Sequence, residues 1–130
     1  MSTIEERTNL ANAEAYYQAM LRGDFAKMTT YLHDDVYFIG PLAEMRGKEA
    51  VTLAARNFSE VLQGIDIRSR FADKDEIVLV YDMTVRGPIG KFRAATLMQF
   101  QNQVIVRIEL FYDGRLFEER SREIFEDSSN

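Results

Sequence analysis

Apolar residues recur at helical spacing in three segments of the first half of the chain. Residues 5–22 predict an amphipathic helix, and Gly23 suits the left-handed residue that ends it. Asp24 is placed to cap a short second helix, and residues 47–62 predict a third. The apolar positions are Leu10, Ala13, Tyr16, Tyr17, Met20 and Leu21 in the first helix, Phe25, Met28 and Leu32 in the second, and Val51, Ala54, Ala55, Phe58, Val61 and Leu62 in the third.

After Gly64 the apolar repeat changes to two, which is typical of strands. Four long strands are predicted, at residues 65–72, 76–86, 92–101 and 103–113. The short turns between them imply an antiparallel meander. A shorter apolar run, residues 36–39, predicts an earlier strand that ends at Gly40-Pro41. This order of elements indicates an α+β fold, in which a curved sheet wraps around the helices.

Alternation within the strands predicts which side chains face the helices, because the more apolar set of each strand should point inward. The inward sets are Ile77, Leu79, Tyr81, Met83 and Val85; Ala94, Thr96, Met98 and Phe100; and Val106, Ile108, Leu110 and Tyr112. Asp82 and Glu109 then face outward. Apolar residues share that outer face, namely Val78, Val80, Leu97 and Phe111. Such a face is either a dimer surface or a set of scattered surface residues, and we expect a homodimer.

Composition narrows the classes of function. Hydrophobic residues make up 46% and charged residues 28%, which suits one soluble globular domain over residues 1–130. The net charge of −5 argues against a nucleic-acid partner. No apolar run approaches the roughly 20 residues that cross a bilayer, so we expect no membrane partner and a cytoplasmic location.

The sequence has few of the residues that metal and thiol chemistry require. It contains no cysteine and one histidine, which removes disulfides, thiolate zinc sites and His-rich metal sites. We therefore expect no metal and no cofactor.

Residues 115–130 form a charged tail, predicted as a terminal helix or a partly ordered arm. Its apolar anchors are Leu116, Phe117, Ile124 and Phe125.

A series of short motifs resembles the landmarks of the nuclear transport factor 2-like superfamily, over roughly residues 8 to 115. Within it, the SnoaL-like polyketide cyclases and the ketosteroid isomerases are the most similar. The motifs are YYQAMLRGD at residues 16–24, LHDDV at 32–36, Gly40-Pro41, RGKEAV at 46–51, VIVRI at 104–108, and Asp113. The resemblance implies a cone-shaped roll, in which a strongly bent, mainly antiparallel sheet and about three N-terminal helices enclose an apolar pocket.

The resemblance also implies where catalytic groups would stand. Tyr16 matches the tyrosine that donates to the enolate oxygen in ketosteroid isomerases. The aspartate base of those enzymes is replaced here by Gly40, and their second donor by Met98. The position of a carboxylate in the related epoxide hydrolases falls on Leu110, and the acidic residue of the cyclases has no equivalent in the predicted inward sets. Whether the protein is an enzyme therefore stays open.

Three residues remain candidates for catalysis, each with an ordinary structural alternative. Tyr16 would stabilise an oxyanion, or would be a core tyrosine. Asp113, which ends its strand beside a glycine, would reach the cavity mouth, or would be solvated. His33 would transfer a proton, or would be a charge-compensated turn residue.

The predicted function follows from the predicted interior. We expect an apolar pocket for a small hydrophobic molecule, polyketide-like or steroid-like, with metal-independent cyclisation, isomerisation or dehydration as the chemistry if there is any. The alternative is a ligand-binding or dimerisation module without catalysis. The predicted ligand-binding residues are Tyr16, Phe38, Phe58, Tyr81, Met83, Thr96, Met98, Leu110 and Tyr112.

Overall fold

The first helix begins and ends at the residues that local chemistry favours. The computed structural model describes residues 3–120, with side chains up to residue 117. Helix α1 (Ile4–Arg22) starts with a capping box, in which the Thr3 hydroxyl accepts from the Glu6 amide at 3.0 Å and the Glu6 carboxylate accepts from the Thr3 amide at 2.8 Å. It ends at Gly23, whose φ of 74° is the left-handed conformation that the sequence predicted.

The second helix is shorter than predicted. Helix α2 (Phe25–Thr29) begins at Asp24, whose carboxylate accepts from the Lys27 amide at 3.1 Å. The hydroxyls of Thr29 and Thr30 then donate to helix carbonyls, and the helix ends there. Leu32 therefore opens strand β1 (Leu32–Ile39) instead of continuing the helix. The expectation for Leu32 was wrong because a tertiary pairing, Leu32 with Ile105, decides its conformation.

The remaining elements follow the predicted order, with one addition. Strand β2 was not predicted, because three residues show no periodicity. Strand β3 starts before Gly64, the residue after which alternation was expected. The bounds are Glu44–Arg46 for β2, Lys48–Ser59 for α3, Leu62–Asp73 for β3, Glu76–Val85 for β4, Lys91–Gln101 for β5, Val104–Phe111 for β6, and Gly114–Arg120 for a final 3₁₀ helix.

One six-stranded sheet carries the fold, in the order β2-β1-β6-β5-β4-β3. The four long strands form the predicted antiparallel meander. Strand β1 joins its far side by pairing in parallel with β6, and β2 pairs antiparallel with β1 as the edge. The sheet is not closed, and α1 and α3 pack against it. The α+β prediction is confirmed.

The predicted inward faces are largely correct. On β4 and β5 all the predicted inward residues are buried, from Ile77 to Val85 and from Ala94 to Phe100. Strand β6 differs near its start, where Ile105 is fully buried and Val106 only half-buried. The pairing register shifts there, from Gln99 with Arg107 to Phe100 with Ile105, so Val106 is the extra residue of a bulge. The prediction that Val106 faces inward missed this irregularity.

The C-terminal segment contributes one side chain to the core. Its described part is the 3₁₀ helix, from which Phe117 reaches the core with 1% exposure, while Leu116 is 40% exposed. Ile124 and Phe125, the other predicted anchors, lie outside the described residues. Across residues 3–120, no helix has both the length and the apolar character that crossing a membrane requires.

Candidate functional site

An apolar cavity of about 50 Å³ lies between α1, α3 and the sheet. The walls are built from helix residues that face the sheet and from inward residues of β1, β2, β4 and β6. None of the lining residues is acidic, basic or histidine, and three tyrosines supply the side-chain hydroxyls. We call it the front cavity. Its lining residues are Tyr16, Tyr17, Met20, Phe38, Met45, Val51, Ala54, Ala55, Phe58, Tyr81, Met83, Ile108 and Leu110.

Tyr16 lies on the sheet-facing side of α1 and is 2% exposed. Within the described part of the chain, the Tyr16 hydroxyl makes no hydrogen bond. It is also not completely inaccessible, because among the described residues the unbonded side-chain polar atom that is completely inaccessible is Oδ1 of Asn9. The Tyr16 hydroxyl is therefore in contact with space that a water-sized molecule can occupy. Tyr16 is also one of the residues that line the front cavity.

Burial sets the charge state of this hydroxyl. Loss of solvent raises the pKa of Tyr16 far above its ordinary value, and the neighbouring Tyr17 raises it further. Tyr16 is therefore a neutral phenol at any physiological pH, able to donate one hydrogen bond to an acceptor in the cavity.

Tyr17 and Tyr81 satisfy their hydroxyls within the protein. Both hydroxyls lie 2.6 Å from the hydroxyl of Thr96, and the Tyr81 hydroxyl donates to that of Tyr17 at 3.1 Å. Each of the three groups therefore has partners, and burial raises the pKa of both phenols. We call this cluster the hydroxyl triad. It ties α1 to the centre of the sheet, and its internal bonds distinguish its tyrosines from Tyr16.

A second cavity of about 30 Å³ lies under the 3₁₀ helix, and we call it the rear cavity. Three residues line both cavities, namely Phe58, Met83 and Leu110. The rear cavity is completed by Phe92, Ala94, Tyr112 and Phe117. Partial burial raises the pKa of Tyr112 to about 12, so it too is a neutral phenol at physiological pH.

The structure places most of the predicted ligand-binding residues on these walls. Tyr16, Phe38, Phe58, Tyr81, Met83 and Leu110 line the front cavity, and Tyr112 lines the rear one. Thr96 and Met98 line neither of the two. Both are fully buried, Thr96 in the hydroxyl triad and Met98 in the core. Strand β5 lies between β4 and β6 in the sheet, and the residues that it gives to a cavity wall are Phe92 and Ala94 of the rear cavity.

Two of the three catalytic candidates stand outside the cavities. His33 lies in β1, not in a turn, and its Nδ1 accepts from the Asp35 amide at 3.0 Å. Asp113 is exposed and binds Arg115, whose Nε and Nη2 donate at 2.9 and 2.8 Å. These bonds hold the pKa of Asp113 below its usual range. Tyr16 is the catalytic candidate that lies at a cavity.

The sheet carboxylates point away from the interior, as the alternation predicted. Asp82 is 4% exposed, yet its cover is a set of cations on the outer face. Arg93 donates to it at 2.8 and 3.2 Å, and Arg68 and Lys91 approach to 3.4 and 3.8 Å. The bonds from Arg93 lower the pKa of Asp82. Glu109 pairs with Arg107 at 3.5 Å on the same face.

Two important residues were not singled out as pocket residues from the sequence. Tyr17 follows Tyr16 on the same apolar stripe, so spacing alone could not separate a bonded hydroxyl from an open one. Phe117 was expected only as an anchor of the tail, and its position with Leu116 among charged residues was the available signal. Within residues 3–120, no group of three or more His, Asp or Glu side chains is arranged to hold a metal ion.

Comparison with known proteins identifies relatives of this architecture. The sequence matches the family model of the SnoaL-like domain over residues 13–119. A solved structure from Kribbella flavida is 24% identical, with a TM-score of 0.78 over 85% of this chain and 90% of that one. An NTF2-like protein from Cytophaga hutchinsonii is 19% identical, with a TM-score of 0.73 over 82% and 92%. A K. flavida protein provisionally named a ketosteroid isomerase is 12% identical, with a TM-score of 0.75 over 84% and 80%. No curated protein matches the chain.

Proposed function

The chain belongs to the family of SnoaL-like domains, and from that premise we propose that its front cavity binds a small, neutral, hydrophobic molecule carrying one carbonyl or hydroxyl oxygen. The apolar walls select a hydrophobic body, because apolar surface gains about 25 cal/mol per Å² when it leaves water. The Tyr16 hydroxyl selects the oxygen. This open hydroxyl at an apolar cavity is the observation that carries the proposal.

The size of the cavity limits what it can hold without rearrangement. A cavity of ~150 Å³ accommodates benzene in an engineered protein core, and the front cavity is about 50 Å³. A six-membered ring such as that of cyclohexanone would therefore need the interior to expand, and polyketide-like or steroid-like compounds would need it to expand further. Met20, Met45 and Met83 lie in the walls, and the flexible thioether side chain adapts to irregular space.

Binding without acid–base catalysis is the function that the lining supports best. A general base must come within hydrogen-bond reach of the proton that it removes. Asp82, Glu109, Asp113 and His33 form their bonds outside the cavity. A neutral ligand also suits walls without a counter-charge, since an unpaired charge would be costly to bury there.

Catalysis is the second candidate, and Tyr16 is the observation that favours it. A phenol aimed at a developing oxyanion in an apolar cavity can stabilise a transition state by about 3 kcal/mol. The reaction would be an isomerisation, cyclisation or dehydration without a metal, and water in the cavity would have to remove the proton. A solved K. flavida relative carries a provisional ketosteroid isomerase name, which agrees with this chemistry.

Cyclohexanone tests the proposal, with Tyr16→Phe as the variant and Tyr17→Phe as the matched control. We expect Tyr16→Phe to weaken cyclohexanone binding about tenfold, because it removes one hydrogen bond of about 1.4 kcal/mol, and to leave cyclohexane binding unchanged. Tyr17→Phe removes a hydroxyl of the triad and should change cyclohexanone binding less. Calorimetry would measure the affinity of each variant for cyclohexanone and cyclohexane. Equal cyclohexanone affinity in wild type and Tyr16→Phe would contradict the proposal.

The same sample separates binding from catalysis. Exchange of the protons next to the carbonyl of cyclohexanone for deuterium, followed by NMR, would occur faster with the protein than in buffer if the site abstracts protons. Exchange that Tyr16→Phe slows would favour the enzyme. Binding with exchange at the buffer rate would favour the binding module.

We also propose that the outer sheet face joins two copies of the chain. Its apolar residues are adjacent in the strand register, where Phe71, Val78 and Leu97 form one row and Val80, Ala95 and Phe111 the next. Phe71 is 59% and Phe111 54% exposed. The cations around Asp82 border one end of this patch and the acidic Asp73 and Glu76 the other. A two-fold axis across the strands would bring the oppositely charged ends of two copies together.

A further inference from the structure

The 3₁₀ helix inserts one side chain into the interior. Phe117 is 1% exposed, whereas Arg115 and Leu116 beside it are exposed. The Phe117 ring packs edge-on against the rings of Phe92 and Tyr112, with centroids at 5.1 and 5.5 Å, and lies 6.4 Å from Phe58. It therefore occupies volume at the end of the hollow that the helices and the sheet enclose.

The front and rear cavities are two parts of that hollow. Phe58, Met83 and Leu110 line both, so the two cavities are neighbours that share part of a wall. Met83 has a flexible thioether and Leu110 is only half-buried. A ligand that displaced these side chains would extend from the Tyr16 end toward the rear cavity, whose wall includes the Phe117 ring.

Local bonds fix the segment that carries Phe117. The Asp113 carboxylate accepts from the Arg115 amide at 3.1 Å and from the Arg115 guanidinium, and the Leu116 amide donates to the Asp113 carbonyl at 3.2 Å. Gly114 lies against Pro41 and Leu42, so closely that an added Cβ would stand 3.2 Å from the Pro41 Cβ. The end of the hollow is therefore defined by a turn whose position the chain itself specifies.

We propose that Phe117 sets the greatest length of ligand that the interior accepts. This inference rests on the proposed function, since it takes the ligand's oxygen to lie at Tyr16 and its hydrocarbon body to extend toward the rear cavity. The ligand class is then an unbranched or slender ketone or alcohol rather than a wide, fused-ring molecule. Phe117 acts by exclusion and takes no part in any reaction.

A series of straight-chain 2-alkanones tests this length limit, with the full chain and the variants Phe117→Ala and Phe117→Leu. In wild type, affinity should rise about fourfold per added methylene, the gain from burying one CH₂, and should stop rising at one chain length. In Phe117→Ala the rise should continue for two or three further carbons, so the longest ketones bind at least tenfold more tightly than to wild type. Phe117→Leu should shift the length limit by less than Phe117→Ala does. It tests the limit in place of Phe117→Ala if that variant does not fold.

Leu116→Ala is the matched control, because it shortens the exposed neighbour in the same helix. Its length limit should equal that of wild type. If a folded Phe117→Ala or Phe117→Leu variant had the same length limit as wild type, the inference would be overturned. The proposed function would still stand if Tyr16→Phe weakened cyclohexanone binding. A shifted limit together with cyclohexanone affinity independent of Tyr16 would support the length limit and contradict the role of Tyr16.

Discussion

The two faces of strand β4 treat polar groups in opposite ways. Tyr81 points into the interior, where neutral hydroxyls satisfy it at 2.6 and 3.1 Å. Asp82, the next residue, points outward and is satisfied by cations, with Arg93 at 2.8 Å. Both side chains are nearly or wholly inaccessible to solvent. The difference is in their partners: on β4 the charged group lies on the outer face, and the neutral hydrogen bonds lie on the inner face.

The pKa shifts follow the same division. Burial raises the pKa of Tyr81, so its stabilising contribution is complete below the ordinary tyrosine pKa of about 10 and is lost as the pH rises above it. The bonds from Arg93 lower the pKa of Asp82, so its contribution is present above about pH 4 and is lost as the pH falls through the folded-state pKa. On β4, the contribution of the inward Tyr81 is thus sensitive to alkali and that of the outward Asp82 to acid.

A carboxylate on the inner face should break this division most severely. Met83→Asp would place an unpaired charge in the cavity wall, and we expect it to lower the free energy of unfolding by about 4 kcal/mol or more at pH 7. Burial would raise the pKa of the new carboxyl, so the loss should shrink as the pH falls toward 4. Urea denaturation at pH 7 and pH 4 would measure both.

Thr84→Asp provides the control for Met83→Asp. Thr84 lies on the outer face of the same strand, opposite Lys91 in the register, and is half-buried. A carboxylate there has a cation within reach, so the expected change is below about 1 kcal/mol. Equal losses in the two variants would mean that the faces do not differ in their tolerance of charge.

Removing a hydroxyl from the hydroxyl triad should lower the free energy of unfolding by less than Met83→Asp does, because no charge is involved. Thr96→Val keeps the shape of the side chain and removes the hydroxyl that both tyrosines contact, and we expect a loss of about 1–2 kcal/mol. The loss stays at that level because Tyr17 and Tyr81 can still bond to each other at 3.1 Å. Chemical denaturation would measure it. A variant as stable as wild type would show that the triad orders side chains without stabilising the fold.

The inner face could be predicted from the sequence because alternation is a strong physical signal. A shift of the β4 pairing register by one residue would turn Asp82 and Thr84 inward in place of Tyr81 and Met83. An unpaired carboxylate buried against apolar helices would then be too costly. The same reasoning failed at Val106, because a bulge changes the parity without leaving a mark in the apolar pattern. Parallel pairing of β1 with β6 was equally hidden, since it joins residues far apart in the chain.

The site itself was only partly predictable. Tyr16 and Tyr17 are neighbours on one stripe, and their different roles depend on Thr96 and Tyr81, which come from two distant strands. Phe117 presented a similar problem, because its burial depends on a turn held against Pro41 and Leu42. Spacing predicts which face a side chain lies on; it does not predict which hydroxyl finds a partner.

The outer face offers the change with the smallest expected effect on the stability of one copy. Phe111→Asp replaces a side chain that is 54% exposed, so the free energy of unfolding of a single chain should change by less than about 0.5 kcal/mol. If the apolar patch joins two copies, the same change puts a charge into a desolvated interface, and the protein should dissociate. Sedimentation at micromolar concentration would then give the mass of two chains for wild type and of one for Phe111→Asp.

Leu53→Asp is the control, because Leu53 is 47% exposed on α3, away from the sheet. It adds the same charge to a comparable apolar side chain and should leave the mass at that of two chains. A wild type that sediments as one chain would contradict the proposed dimer. Dissociation by both variants would show that added negative charge separates the copies, whichever surface joins them. A loss confined to Phe111→Asp assigns the contact to the outer face of the sheet, which carries the two apolar rows.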